Sequence, residues 1–98
     1  MNCIYYRHEF RVIKCGNDFV VINTKKPFIN GHTHFTNFNG CISAIKLVER
    51  KELPKSRSKR VIKSLQRLST DKLYIEQLDD LLIDFKDMME HNKDVILR

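Results

Sequence analysis

The sequence has little of several residue types, and each shortage excludes a class of protein. Its 98 residues contain no Trp, two Pro and three Gly, too few for a collagen-like or low-complexity chain. The cysteines, Cys3, Cys15 and Cys41, are odd in number and form no Cys-x-x-Cys pair. They therefore predict buried, reduced thiols inside a cell and not a disulfide framework.

Long apolar runs and enzyme motifs are also missing. No run approaches the roughly 20 residues that cross a bilayer, and the N-terminus lacks the pattern of a signal peptide, so we expect a cytoplasmic protein with no membrane partner. No Gly-rich phosphate loop or Gly-x-Ser-x-Gly turn is present. A chain of this length is also small for a deep active site. These absences favour a non-enzymatic protein without a cofactor.

Charge is distributed unevenly along the chain. The first 68 residues carry 14 Lys and Arg against 4 Asp and Glu, while the last 30 carry 4 against 8. The total is the net charge of +6. Such an asymmetry indicates a binding partner more than a reaction.

The N-terminal part, residues 1–36, is predicted to be rich in β-structure. Alternation of apolar and polar residues from Tyr6 to Val12 indicates one strand. Gly16-Asn17 suits a two-residue turn, and the resulting hairpin pairs Ile13 with Val20 and Val12 with Val21. A short third strand is predicted around residues 34–36. Both faces of the hairpin carry apolar pairs, so at least one must pack under helices.

Residues 39–90 are predicted to form three helices, followed by a tail at 91–98. The first runs from a cap at Asn39 to about Lys51. The second begins near Ser56 or Ser58 and has an apolar stripe opposite its cations. The third, capped by residues 69–71, ends near Glu90 and is expected to be the longest.

The predicted fold is therefore a single α+β domain, in which a short antiparallel hairpin or three-stranded sheet packs against three helices, the last one long. The predicted core consists of Phe10, Val12, Phe19, Val21, Ile42, Ile45, Val48, Ile62, Leu65, Leu78, Leu81 and Phe85.

The strongest candidate for a functional site is the basic segment after Pro54. It contains six cations and no carboxylate before Ser69. They are Lys55, Arg57, Lys59, Arg60, Lys63 and Arg67. Cations on one side of a helix can neutralise phosphates, and contacts of this kind hold the backbone without reading bases. The alternative is a solvated helix face, although such faces usually mix charges of both signs.

The pair His32 and His34 is the second candidate. Histidines at this spacing can bind a transition metal if a third ligand joins them. The triplet from His34 to Thr36 also matches the His-x-Thr motif of two-histidine phosphoesterases, which need two copies of it. A structural role in a loop is the other interpretation.

The predicted third helix carries six carboxylates and a wide apolar stripe. The stripe favours either packing inside the domain or pairing with a partner helix, which would give a homodimer through the last helix.

Several motifs resemble those of short, uncharacterised proteins of phages and mobile elements in Gram-positive bacteria. The similarity covers roughly residues 10–80 and lies in the run from Phe19 to Lys25, in Phe28-x-Asn-Gly-His-Thr-His-Phe35, in the helix with Cys41 and Leu47, and in Pro54 and the segment from Leu68 to Tyr74. Small phage proteins often act by stoichiometric binding, and inhibitors of CRISPR systems are one class of them. The resemblance thus implies a mobile-element inhibitor.

Three functional hypotheses follow. The first is a non-enzymatic inhibitor that binds a host nucleoprotein defence complex, or its RNA or DNA, through the basic helix. The second is a small nucleic-acid-binding regulator that uses the same helix. The third is a phosphodiesterase or metal hydrolase centred on His32 and His34.

Overall fold

The computed structural model describes residues 2–55 and 58–82 and has an α+β fold. Four strands form one antiparallel sheet in chain order: β1 (Asn2–Arg7), β2 (Phe10–Cys15), β3 (Asp18–Asn23) and β4 (His32–Phe35). Helices α1 (Phe38–Arg50) and α2 (Lys59–Leu68) follow, and a third helix, α3, occupies residues 72–82. The predicted fold class is confirmed, with a sheet larger than expected.

The predicted β2–β3 hairpin is confirmed in its register. Ile13 pairs with Val20 and Val12 pairs with Val21. Gly16 has a φ of +62°, the left-handed value that the first position of a type II′ turn requires and that glycine adopts without steric cost. The strand expected around residues 34–36 is β4, one or two residues earlier.

The single strand predicted from Tyr6 to Val12 is wrong. Arg7 pairs directly with Phe10, so His8 and Glu9 form a second two-residue turn. His8 adopts a φ of +52°, which is uncommon for a residue with a side chain. Glu49 of α1 accepts a hydrogen bond from Nε of Arg7 at 2.8 Å, and this contact holds the turn against the helix.

The turn changes which side chains share a face of the sheet. Phe10 is 2% exposed and faces the helices, whereas Tyr6 is 73% exposed. Apolar and polar residues alternate through the turn as they would along one strand. A loop of two residues has the length of one period of a strand and so does not interrupt the alternation.

Helix boundaries differ from the predictions mainly at caps. The side chain of Asn37, and not of Asn39, accepts a hydrogen bond from the Gly40 amide and caps α1. Ser58 is the N-cap residue of α2. Asp71 accepts from the Tyr74 amide at 2.8 Å and caps α3, as residues of its type are expected to do.

The third helix is not clearly the longest. Its described part has fewer residues than the 13 of α1, and its predicted end at Glu90 lies outside the described residues. The side chain of Tyr74 fixes α3 to the segment after α1 by donating a hydrogen bond to the carbonyl oxygen of Glu52 at 2.7 Å. Burial raises the pKa of Tyr74 to about 12, so this donor keeps its proton at physiological pH.

The hydrophobic core lies between one face of the sheet and the three helices. Eight of the twelve predicted core residues belong to it, while Phe19 and Leu81 pack against it partly buried, Ile42 is half-buried, and Phe85 lies outside the described residues. The core consists of Phe10, Val12, Val21, Cys41, Ala44, Ile45, Val48, Ile62, Leu65, Leu68, Tyr74 and Leu78.

The cysteines divide into two groups. Cys41 is buried and behaves as a small apolar side chain, and burial raises the pKa of its thiol to about 11. Cys3 and Cys15 are free but exposed, so the prediction that all three are buried is wrong for these two. Cys3 lies on β1 and Cys15 lies on β2, and neither belongs to the core.

The described residues form no helix with the length and apolar character needed to cross a membrane.

Gly31 allows the loop before β4 to approach its neighbours closely. A Cβ atom added there would lie 2.6 Å from Cβ of Lys26 and 3.3 Å from the carbonyl oxygen of Asn23. Neither atom is the end of a flexible side chain, so the backbone would have to move.

We expect Gly31→Ala to destabilise the protein by about 1–3 kcal/mol, as overpacking commonly does. In a chain of this size that loss lowers Tm by at least about 4 °C. Thermal unfolding followed by circular dichroism measures it. A Tm equal to that of the wild type would contradict the close approach.

Candidate functional site

Helix α2 presents its cations outward because its apolar residues are all on the other side. Ile62, Leu65 and Leu68 are buried in the core, and at about 100° per residue the opposite side carries the basic positions. The exposed side chains on that side are Lys59, Arg60, Lys63 and Arg67.

A buried hydrogen bond joins α2 to strand β4. The Thr33 hydroxyl donates to the Ser64 hydroxyl at 2.9 Å, and both residues are 7% exposed. Because buried hydroxyls are costly unless they are bonded, this pair fixes how the helix lies along the strand.

The C-terminus of α2 is bound by two side chains, one from the end of β3 and one from the loop that follows it. Asn23 is 1% exposed and donates from Nδ2 to the carbonyl oxygen of Leu68 at 2.7 Å. Nζ of Lys26 lies 2.8 Å from the carbonyl oxygen of Arg67 and 3.0 Å from that of Ser69. The last carbonyls of a helix have no partner within it, and these donors supply one.

Arg67 has a structural role as well. Its Nε donates to the carbonyl oxygen of His32 at 2.7 Å, and its Nη2 donates to that of Ile29. These bonds hold the loop to the helix while the residue stays exposed. Burial lowers the pKa of Lys26, and the nearby positive charge of Arg67 lowers it further. The charges of Lys26 and Arg67 are therefore close enough to repel each other.

The packing of α2 on β4 leaves a basic cleft of about 350 Å³ between them. Its lining residues are His32, Thr33, His34, Arg60, Lys63, Ser64 and Arg67. No carboxylate is among them. A smaller hollow that shares His34, Arg60 and Ser64 extends the basic cleft along the strand to Thr36.

In the sheet that the structure describes, β4 is an edge strand, and its outer edge borders the basic cleft. In an antiparallel sheet, the backbone N–H and C=O groups of successive residues point alternately to one neighbouring strand and to the other side. Counted from the two-residue turn between β2 and β3, those of Thr33 and Phe35 point to β3, and those of His32 and His34 point away from it. The bond from Arg67 to the His32 carbonyl agrees with that direction.

The predicted site residues are thus only partly brought together. Arg60, Lys63 and Arg67 line the basic cleft; Lys59 is exposed at the start of α2, and Lys55 is exposed before it. Arg57 lies outside the described residues. Among residues 2–55 and 58–82, the ion pairs formed do not involve Lys55, Lys59, Arg60 or Lys63.

The two histidines line the same cleft as the cations of α2, and no pattern in the sequence predicts this. His32 and His34 lie about 30 residues before α2, yet they form the opposite wall of the basic cleft. Nδ1 of His32 contacts the carbonyl oxygen of Phe28 at 2.5 Å, and since a carbonyl only accepts, the proton is on Nδ1. In the described part of the chain, no three His, Cys, Asp or Glu side chains group as metal ligands, and the hydrolase hypothesis stays a prediction.

A second cavity, of about 310 Å³, is lined by residues from the β1–β2 turn and the ends of α1 and α2. Its charges are compensated in pairs, Glu49 by Arg7 and Asp71 by Lys51 at 2.8 Å each. Lys51 and the Tyr74 amide lower the pKa of Asp71. A charged ligand therefore finds less unpaired charge here than in the basic cleft.

Comparison with protein-family models, with curated proteins and with solved structures found no match for this chain. The geometry of the site is therefore the basis for assigning a function.

We expect Lys26→Met to destabilise the fold by about 1–3 kcal/mol, because it leaves the carbonyl oxygens of Arg67 and Ser69 without the Lys26 donor. The matched control is Lys25→Met, since Lys25 is exposed and lies 3.8 Å from Glu9 in a solvated pair, which contributes at most about 1 kcal/mol. Urea unfolding measures both. Equal losses of unfolding free energy in the two variants would contradict the capping role.

Proposed function

We propose that the protein is a non-enzymatic binding protein whose basic cleft contacts the phosphate backbone of a nucleic acid. The observation that carries the proposal is that Arg60 and Lys63 line a cleft without any lining carboxylate, and that neither forms an ion pair with a described residue. Unpaired cations in a groove raise the local potential for a polyanion.

The placement of the cations at the start of α2 supports the same proposal. Lys59 and Arg60 lie in the first turn, where the helix dipole favours negative charge, and that turn has no acidic residue. Stability alone would favour carboxylates at these positions. The presence of Lys59 and Arg60 at these positions, where carboxylates would be more stable, is explained if an anion binds at this end of the helix.

In the cell, we propose that the nucleic acid belongs to a host nucleoprotein complex of a defence system, and that binding blocks the surface through which the complex acts. The support is the resemblance to phage and mobile-element proteins and the small size of the chain. A nucleic-acid-binding regulator would use the same cleft, and the two differ in whether the bound nucleic acid is free or part of a complex.

We expect the triple variant Lys59→Glu, Arg60→Glu, Lys63→Glu to lose affinity for a 20-nucleotide single strand and for a 20-base-pair duplex. The slope of log K against log salt is negative, and each lost phosphate contact reduces its magnitude by roughly 0.7 to 0.9. If all three residues contact phosphates, the magnitude of the slope should fall by about two to three. Fluorescence anisotropy between about 50 and 200 mM salt, a range over which the Debye length falls roughly twofold around its value of about 10 Å at 100 mM, measures it.

The control replaces three other exposed lysines, Lys14, Lys46 and Lys72, by Glu, with the same change in net charge. A salt slope lowered equally in both variants would show that only total charge matters. Arg67 is left unchanged because its bonds to backbone carbonyls hold the loop. The triple variant should unfold at the wild-type temperature or slightly above, since carboxylates are favourable in the first turn of a helix.

The inhibitory role is tested in cells that carry a nucleic-acid-directed defence system. Expression of the wild-type chain should let incoming DNA escape restriction, and expression of the triple variant should not. Escape at the wild-type level with the triple variant would contradict the assignment of this surface.

A further inference from the structure

The wall of the basic cleft that faces α2 continues into a row of rings. The ring of Phe28 is stacked on that of His32, with centroids 4.3 Å apart and planes 2° apart. His32 in turn meets His34 edge to face at 5.4 Å. The row leads from the cleft to the loop before β4.

Phe28 is exposed although it is a large apolar residue. It is 55% exposed, and its neighbour Ile29 is 77% exposed. His32 covers one face of the Phe28 ring, so the exposed area includes the other face. Aromatic side chains normally bury most of their surface, and an exposed ring beside a cationic cleft is available to stack on a planar group of a ligand.

The exposed ring is held in place. Hydrogen bonds from the amides of Asn30 and Gly31 to the Pro27 carbonyl close the loop as a turn. His32 binds the carbonyl of Phe28, and Arg67 binds that of Ile29. The loop is thus fixed to α2, and a ligand that stacks on Phe28 does not have to order it first.

Cations and rings therefore lie on opposite sides of one cleft. Arg60, Lys63 and Arg67 follow each other along α2 over about 10 Å at 1.5 Å per residue, a length that admits more than one phosphate of a strand. A single strand offers phosphates and open base faces together, whereas a duplex hides its base faces in the stack. An acidic peptide would pair with the cations but offers a ring to Phe28 only where it carries an aromatic side chain, whereas every nucleotide carries a base.

We propose that the basic cleft binds a single strand of RNA or DNA, with its phosphates toward Arg60 and Lys63 and one base stacked on the open face of Phe28. This inference rests on the proposed function and deepens it, because it names the form of nucleic acid that is bound. Stacking tolerates every base, so the site has little sequence preference.

The experiment compares four probes by fluorescence anisotropy at 50 mM salt: a 12-nucleotide DNA, the RNA of the same sequence, the 12-base-pair DNA duplex, and a 12-residue poly-glutamate peptide. The wild type should bind the single strands more tightly than the duplex, and the peptide most weakly. The variant Phe28→Ala should weaken single-strand binding roughly 5- to 150-fold, the effect of losing one stacked base, and change duplex binding less than twofold.

Two further variants separate stacking from other effects. Ile29→Ala removes a still more exposed apolar side chain from the same turn and should change single-strand affinity less than twofold. Phe28→Trp keeps an aromatic face and should retain wild-type affinity. Phe28→Trp should unfold near the wild-type temperature. Phe28→Ala loses the ring stack on His32 and should unfold a few degrees lower, still well above the temperature of the binding measurement.

The outcomes distinguish the inference from the proposed function. Single-strand affinity that is unchanged in Phe28→Ala, or equally reduced in Ile29→Ala, overturns the stacking inference and leaves a phosphate-binding cleft intact. Duplex binding as tight as single-strand binding also overturns it. Failure to bind any nucleic acid overturns both. Tighter binding of poly-glutamate than of any nucleic acid also overturns both and indicates an acidic protein partner.

Discussion

The docking of helix α2 on the segment from Asn23 to His34 is the constraint on which the rest of the structure depends. A helix end leaves carbonyl groups without partners, and here Asn23 and Lys26 provide donors to Leu68, Arg67 and Ser69. The buried bond between Thr33 and Ser64 fixes the middle of the helix. With its inner side and C-terminus held in this way, α2 has its basic side and its N-terminus toward solvent.

The cations of the described residues are of two kinds, those bonded within the fold and those available to a ligand. Lys26 and Arg67 donate to backbone carbonyls, and Arg7 and Lys51 pair with carboxylates, so these cations hold elements together. The cations at the start and middle of α2 form no such pairs with the described residues. Net charge alone does not distinguish the two kinds, since distance and partners decide whether a cation is available to a ligand.

Local patterns allowed part of the fold to be predicted. The register of the β2–β3 hairpin follows from the turn at Gly16, because a two-residue loop determines which residues face each other. The apolar stripe of α2 follows from helical periodicity. The turn at His8 was missed because neither His nor Glu is a usual turn residue and a helix carboxylate, that of Glu49, stabilises it. The α1 cap was misplaced by two residues because Asn37 and Asn39 offer the same chemistry.

By itself the sequence determined the basic side of α2, the hairpin and most of the core, since each depends on residues close together in the chain. Only the tertiary structure placed His32 and His34 beside Arg60 and Lys63, with Phe28 stacked on His32, and only it showed that Arg67 donates to carbonyls before and at the start of β4. The physical reason is that contacts across about 30 residues arise from the packing of α2 on the sheet, which no local periodicity encodes.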